Sequence, residues 1–349
     1  MNKSFIQAVF VLAGTTIGAG IFGIPYVTVK AGYGIGLLWM IFLTAVVLGI
    51  NCLYVRVILK QDSNHPIQLV GLGEKYFGKI GKTIALWLIL IGQWGAMLAY
   101  IIGIGNLLVV ILGHQEYVIY YSIGVFIIAS SITYFNIRVV SAIDFWLTTA
   151  MVAIIGLIAW VGFPAVDISN IKFIASSNYF EFLLPFGVIF GALTGYAVIP
   201  EVVRISRSGG NHPQKSIQVV ILGTLIPAVV YLVFQYIVVG VSGSAVTEEA
   251  VNGLTPFLNN WIVDVGAIFG ILAMVTSHLT LTHVIKDMFN DDFHINPNIS
   301  WVMAILPPFI IFLLGMHSFI VVLDFMGTWL GITSAIFIFL LYRKSQKVK

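Results

Sequence analysis

Two apolar stretches of this chain could bind a small polar ligand without a charged side chain. One reads Gly18-Ala19-Gly20-Ile21-Phe22-Gly23-Ile24-Pro25, the other Gly191-Ala192-Leu193-Thr194-Gly195-Tyr196-Ala197-Val198-Ile199-Pro200. In each, a glycine stands five residues before a proline, and the two copies lie 175 residues apart, half the chain. Gly and Pro interrupt a helix, and inside a bilayer the stranded N–H and C=O groups must meet another helix, water or a ligand. Freed amides at a helix N-terminus favour an anionic group, and freed carbonyls accept from an ammonium. A third stretch offers different chemistry. Ala273, Thr276 and Ser277 are spaced i, i+3, i+4 and share one helical face. Their two hydroxyls and a carbonyl are oxygen ligands for a hard cation such as sodium. Plainer readings stand beside these. Hydroxyls in membrane helices bond back to their own backbone, and the pairs Gly14/Gly18, Gly32/Gly36, Gly187/Gly191 and Gly191/Gly195 fit small-xxx-small helix packing.

The elements that must position these groups are membrane helices. Of 349 residues, 59% are hydrophobic and only 9% charged, far below the roughly 25% of soluble domains. A soluble enzyme and a nucleic-acid binder are excluded. One span uses roughly 20 apolar residues, and the apolar runs give ten candidate spans: 5–30, 34–59, 83–112, 117–136, 142–163, 182–205, 215–240, 260–286, 299–316 and 318–342. With a cytoplasmic N-terminus, 15 of the 17 Lys and Arg residues fall on inner segments, Arg138 and Lys349 among them, and only Lys30 and Lys172 fall outside. Both termini are therefore expected in the cytoplasm, and the first apolar run is read as a retained helix rather than a signal peptide. Residues 1–349 form a single membrane domain, with one repeat over about 5–163 and a second over about 182–342. Five spans separate the two Gly/Pro stretches, so the second enters the membrane from the opposite side, the mark of an inverted repeat. The inner stretch 61–82 reads as partly amphipathic. In the outer loop 241–259, Thr247-Glu248-Glu249 places acids as at a helix start.

Other templates fail. Gly18-x-Gly20-x-x-Gly23 matches a dinucleotide pattern but lies inside a membrane helix with no strand before it. Catalytic and zinc motifs are absent, and Cys52, the single cysteine, permits no internal disulfide. His278 and His283, five residues apart, do not share a face as a chelating i, i+4 pair does. Glu201 is expected to pair with a basic neighbour such as Arg204. Asp324, about two turns into span 10 from the outer face, and Lys30, ending span 1 on the same side, are expected to form an outer gate pair.

The segments Gly14 to Pro25, Gly73 to Lys82, Phe190 to Glu201 and Ala273 to Ser277 resemble those of the amino acid–polyamine–cation superfamily. The similarity is to the amino acid/auxin permeases, in the branch of the aromatic amino acid permeases. The resemblance implies an all-α polytopic membrane protein of ten transmembrane helices with the LeuT-type 5+5 inverted repeat, in which spans 1 and 6 are broken around the substrate. It implies a non-enzymatic secondary transporter in the plasma membrane, importing an amino acid by alternating access, with spans 1, 2, 6 and 7 rocking against spans 3, 4, 8 and 9. Carried onto this sequence, Gly14 and Ile17 join Ala273, Thr276 and Ser277 as ligands of one sodium ion. Ile21 replaces the asparagine of relatives with a second sodium site, and span 5 lacks the lysine common in proton-coupled relatives.

For the substrate, the expected residues on span 1 are Thr16, Gly18, Ala19 and Gly20, and those on span 6 are Phe190, Gly191, Leu193 and Thr194, with Trp94 supplying an aromatic wall. No charged residue lies between Phe5 and Val29 or between Phe182 and Ile199, which favours a neutral amino acid, aromatic or branched. No cofactor is expected beyond the coupling ion, and the partners are the amino acid and the lipid bilayer. Two alternatives remain open: proton coupling through Glu201 or His278, and a non-transporting amino acid receptor subunit of the same fold.

Overall fold

The computed structural model describes residues 3–61, 68–134, 140–173, 178–208 and 213–347. Arg138 and Lys349 lie outside them. Helices occupy all ten apolar runs. α1 (Lys3–Thr16) and α2 (Gly20–Ala31) form a pair bent by 54°. Gly32 turns the chain into α3 (Tyr33–Leu59) at φ +93°, a conformation suited to glycine. α4 (Leu69–Leu112) is kinked at Gly78, where φ is +65°. Its first part is amphipathic as expected, burying Leu69 and Leu72 while Glu74 reaches Lys82 at 3.0 Å.

Next come α5 (Val118–Tyr134), α6 (Val140–Gly162) and α7 (Tyr179–Leu193), the last capped by the Asn178 carboxamide on the Phe180 amide at 3.0 Å. After an interruption follow α8 (Ile199–Ser208), α9 (Pro213–Ser242), α10 (Asn260–Asp287) and α11 (Pro297–Leu313). The last run contains α12 (Phe319–Phe325), a wide π turn (Met326–Gly331) and α13 (Ile332–Lys347). Among the described residues, seven helical stretches are long and apolar enough to cross a membrane, α7 with α8 (Tyr179–Arg207) and α12 with α13 (Phe319–Lys347) each counting as one, and the bent α1–α2 pair makes eight if counted as one span. The described apolar part of α6 with its extension (Thr149–Ala165) and α11 are shorter.

Contacts sort the helices into two groups. α1, α2, α3, α7, α8 and α9 pack mainly on one another, as do α4, α5, α10 and α11. The groups meet chiefly through α6, which touches α1, α9 and α10, and through the last run, which touches α3, α7 and α4. Lipid is as apolar as a leucine side chain, so cohesion here comes from close packing rather than hydrophobic burial. Several glycines serve that purpose. A Cβ on Gly327 of the π turn would overlap the Gly187 carbonyl of α7, and one on Gly36 would lie 2.6 Å from Thr28.

The acids of the 241–259 loop do not start a helix in their own segment. Glu248 instead serves the N-terminus of α12, accepting from the Ser318 hydroxyl and the Ile320 amide, each at 3.2 Å. Glu249 is buried and accepts a hydrogen bond from Asn106 of α4. Burial holds its carboxyl up at about 7, with Glu248 adding to the effect and Asn106 opposing it.

Gly327→Leu should leave little folded protein, because overpacking costs about 1–3 kcal/mol or more. Gly49→Ala, where an added Cβ meets nothing within 4 Å, should express and melt as the parent does. Glu249 gives a pH test. Its folded carboxyl keeps a proton up to about 7, against an ordinary value of 4.5. Its contribution to stability is therefore complete below 4.5 and lost as pH rises through 7. The melting temperature in detergent should fall across that interval, and Glu249→Gln should flatten the profile.

Candidate substrate and cation site

The first interruption is built by redirected hydrogen bonds. The Gly18 amide turns to the Thr16 carbonyl at 2.8 Å instead of to Gly14, and the Ile21 amide goes to Gly18 at 3.4 Å instead of to Ile17. The Gly14 and Ile17 carbonyls thereby lose their usual helical donors. Among the described residues, the Ala19 and Gly20 amides take no backbone acceptor. The break thus presents carbonyls on its α1 side and amides at the start of α2.

A cavity of about 160 Å³ lies against this break, between the two helix groups. One water needs only about 10–15 Å³ by that measure, so the cavity is far larger than a single-water site. All five expected cation residues line it: Gly14, Ile17, Ala273, Thr276 and Ser277. Thr276 donates back to the Leu272 and Ala273 carbonyls at 3.0 and 3.1 Å, the plainer reading foreseen for this residue. That bond consumes the hydroxyl proton and leaves oxygen lone pairs for a cation.

The remaining wall is Thr15, Gly18, Ala19, Tyr100, Met151, Thr280 and Leu281, with no charged side chain. Tyr100 pairs with Ser277, and its hydroxyl lies 4.0 Å from where a Cβ on Gly18 would stand. Beyond the break on the α2 side, Phe22 fills the gap between the groups, edge-on to Phe234 at 6.1 Å and packed on Gly270. On the other side the cavity continues along Gly14, Thr15, Thr280 and Leu281.

Several expected substrate residues lie elsewhere. The second interruption, Thr194–Gly195, faces the first one rather than the cavity. A Cβ on Gly20 would lie 2.6 Å from that of Ala192, and Gly195 abuts the Thr16 hydroxyl. Gly191 faces Gly327, where a Cβ would lie 3.3 Å from its backbone. These three glycines serve close packing. The Phe190 carbonyl accepts from the Thr194 hydroxyl at 2.6 Å and the Gly191 carbonyl from the Thr194 amide at 3.2 Å, and neither residue lines the cavity. Leu193 is buried in the core, and Phe190 and Thr194 line only a small void of about 10 Å³ beside Asn51 and Tyr196. Trp94 packs with Leu90, Met97, Ile285 and Phe289 on another face of α4.

The expected gate is not formed. Lys30 is exposed over the Tyr26 ring at 5.5 Å, while Asp324 accepts from Thr328 at 3.1 Å and abuts Gly187. No ion pair joins these two described residues. Glu201 does pair with Arg204, Oε2 to Nε at 2.7 Å. His278 is buried edge-on against Phe126 at 5.6 Å, with Ser130 at 3.4 Å. Neither Glu201 nor His278 reaches the cavity.

Sequence reasoning passed over Thr280, although it extends the Ala273, Thr276, Ser277 stripe by one turn. It also passed over Tyr231, whose hydroxyl reaches both interruptions, 2.6 Å from the Thr16 carbonyl and 3.0 Å from that of Ala192. A tyrosine in the middle of an apolar run was the available signal.

The sequence matches the tryptophan/tyrosine permease family over residues 1–349. Tyrosine-specific transport system 2 of Haemophilus influenzae is 26% identical, over 93% of this chain and 84% of its own length. Glutamine transporter 2 of Aliivibrio fischeri is 23% identical, over 97% and 88%. The crystal structure of MhsT in complex with L-phenylalanine has the same fold, with a TM-score of 0.62 over 98% of this chain and 87% of that one at 14% sequence identity.

Proposed function

The chain belongs to the tryptophan/tyrosine permease family, amino acid permeases and not enzymes, and on that premise we propose that it imports a neutral amino acid with one sodium ion by alternating access. The observation that carries this reading is the convergence of Gly14, Ile17, Ala273, Thr276 and Ser277, drawn from two distant segments, on one cavity. Three carbonyls and two hydroxyls are a set of hard oxygen donors suited to an alkali cation. The substrate carboxylate is assigned to the free Ala19 and Gly20 amides, where the α2 dipole favours negative charge. The side chain is assigned to the wall of Tyr100, Met151 and Leu281. That wall favours aromatic or branched substrates, in keeping with the tyrosine-specific relative. Absence of charge from the lining disfavours acidic and basic ones.

Transport by rocking is supported by the division into two groups that meet through α6 and the last run. The reading includes ten spans in a 5+5 inverted arrangement, a plasma-membrane location and both termini in the cytoplasm, so that the cavity faces inward here. Phe190, Gly191, Leu193 and Thr194 are assigned to the substrate only in the opposite, outward state. Glu201 and His278, the groups a proton-coupled version would use, lie away from the cavity.

Uptake in proteoliposomes, measured with a panel of labelled amino acids under imposed gradients, tests this. A sodium gradient should drive accumulation of aromatic or branched substrates. Thr276→Ala with Ser277→Ala should raise the half-saturating sodium concentration at least about tenfold, the effect of roughly 1.4 kcal/mol of lost cation binding. Equal uptake in potassium with only a pH gradient would transfer the reading to proton coupling.

A further inference from the structure

One side chain joins the two interruptions. Tyr231 of α9 is fully buried, and its hydroxyl contacts the Thr16 carbonyl, at the last residue of α1, and the Ala192 carbonyl, next to the end of α7. Thr16 also accepts the Gly18 amide at 2.8 Å, so both lone pairs of that oxygen are engaged. For Ala192, the residue that would supply its helical donor, Tyr196, lies beyond the Thr194–Gly195 break.

Two carbonyl oxygens from different spans therefore converge on one point in a medium without bulk water. Their dipoles repel unless a proton donor or a cation stands between them. The crossing leaves little room for an ion. Gly20 meets Ala192, Gly195 meets Thr16, and a Cβ on Gly223 of α9 would lie 2.8 Å from Leu12. Ile21, buried beside the break, offers no oxygen of its own side chain to coordinate one.

We propose that Tyr231 is a positioning residue that fastens the two interrupted spans to each other, its hydroxyl supplying between the Thr16 and Ala192 carbonyls the positive partner that a second bound cation would otherwise have to provide. The two breaks then move as one body when the helix groups shift, and the amides of Ala19 and Gly20 keep a fixed position relative to α7. The hydroxyl stands on the α7 side of the first break, whereas Thr276 and Ser277 approach from α10. It therefore acts on substrate geometry and leaves the proposed cation site intact. The kinetic part of this inference rests on the transport reading above; the mechanical part does not.

The experiment has two arms. In the first, spin labels at Ile6→Cys on α1 and Arg204→Cys on α8, both exposed positions, are placed in a Cys52→Ala background. Inter-label distances are then measured by pulsed electron paramagnetic resonance in nanodiscs. The parent should give one narrow distribution and Tyr231→Phe, which keeps the ring, a broadened one; an unchanged width overturns the proposal whatever the protein carries. Incorporation of 4-aminophenylalanine at position 231 returns an N–H donor to the same place. It should restore the narrow distribution even if Tyr231→Phe does not fold, and failure to do so overturns the proposal as well.

In the second arm, proteoliposome uptake by Tyr231→Phe should show an amino acid KM raised about tenfold and a half-saturating sodium concentration within about twofold of the parent. An unchanged KM with a lower maximal rate would mark a merely structural role and overturn the assignment. So would a sodium requirement that shifts as far as the KM. Absence of uptake by the parent itself would refute the transport reading and leave the first arm to decide on Tyr231.

Discussion

Every main-chain amide and carbonyl placed in lipid needs a partner, and this requirement governs the whole architecture. A continuous helix meets it internally. This chain departs from that solution at Ile17–Ala19 and at Thr194–Gly195, and each departure is compensated by a specific device. Thr194 folds back on the Phe190 and Gly191 carbonyls, Tyr231 serves Thr16 and Ala192, and Gly14, Ile17 and Ala19, whose backbone groups are left over, line one cavity. The unsatisfied polarity of the first break thus borders the cavity, whereas the second break lies against the first span instead.

The same glycines have two separate physical meanings, and this limits what a sequence can disclose. Gly14 and Gly18 expose backbone to the cavity, while Gly20, Gly191 and Gly195 lack a Cβ because another span lies against them. Spacing alone does not separate the two, since both demand the smallest residue. Periodicity did better with Ala273, Thr276 and Ser277, because a shared helical face follows from local geometry and the whole stripe does reach the cavity. On α4 the relevant aromatic is Tyr100 rather than Trp94. Six residues turn a helix by roughly 240°, so only one of them can face a given neighbour, and which one depends on how α4 packs on α10.

Long-range partners were the least legible. Glu248 does sit at a helix start, but at that of α12, some seventy residues later in the chain. Lys30 and Asp324 carry complementary charges, yet Asp324 is held by Thr328 on its own helix run and Lys30 by the nearby Tyr26 ring. Both side chains are thus held by a partner four residues away in the chain. The division of the ten helical runs into those groups is itself a tertiary property. It arises from where small residues permit close contact, as at Gly187 and Gly327, and it places the cavity on the boundary.

The uncharged lining also has an electrical corollary. A wall without ionised side chains adds no counter-charge to what passes it, so an ion accompanying a zwitterion, as proposed, would carry its full elementary charge across the bilayer. An interior-negative membrane potential would then act on the cargo directly, at about 2.3 kcal/mol per 100 mV, corresponding to roughly fiftyfold accumulation before any chemical gradient of the ion is added.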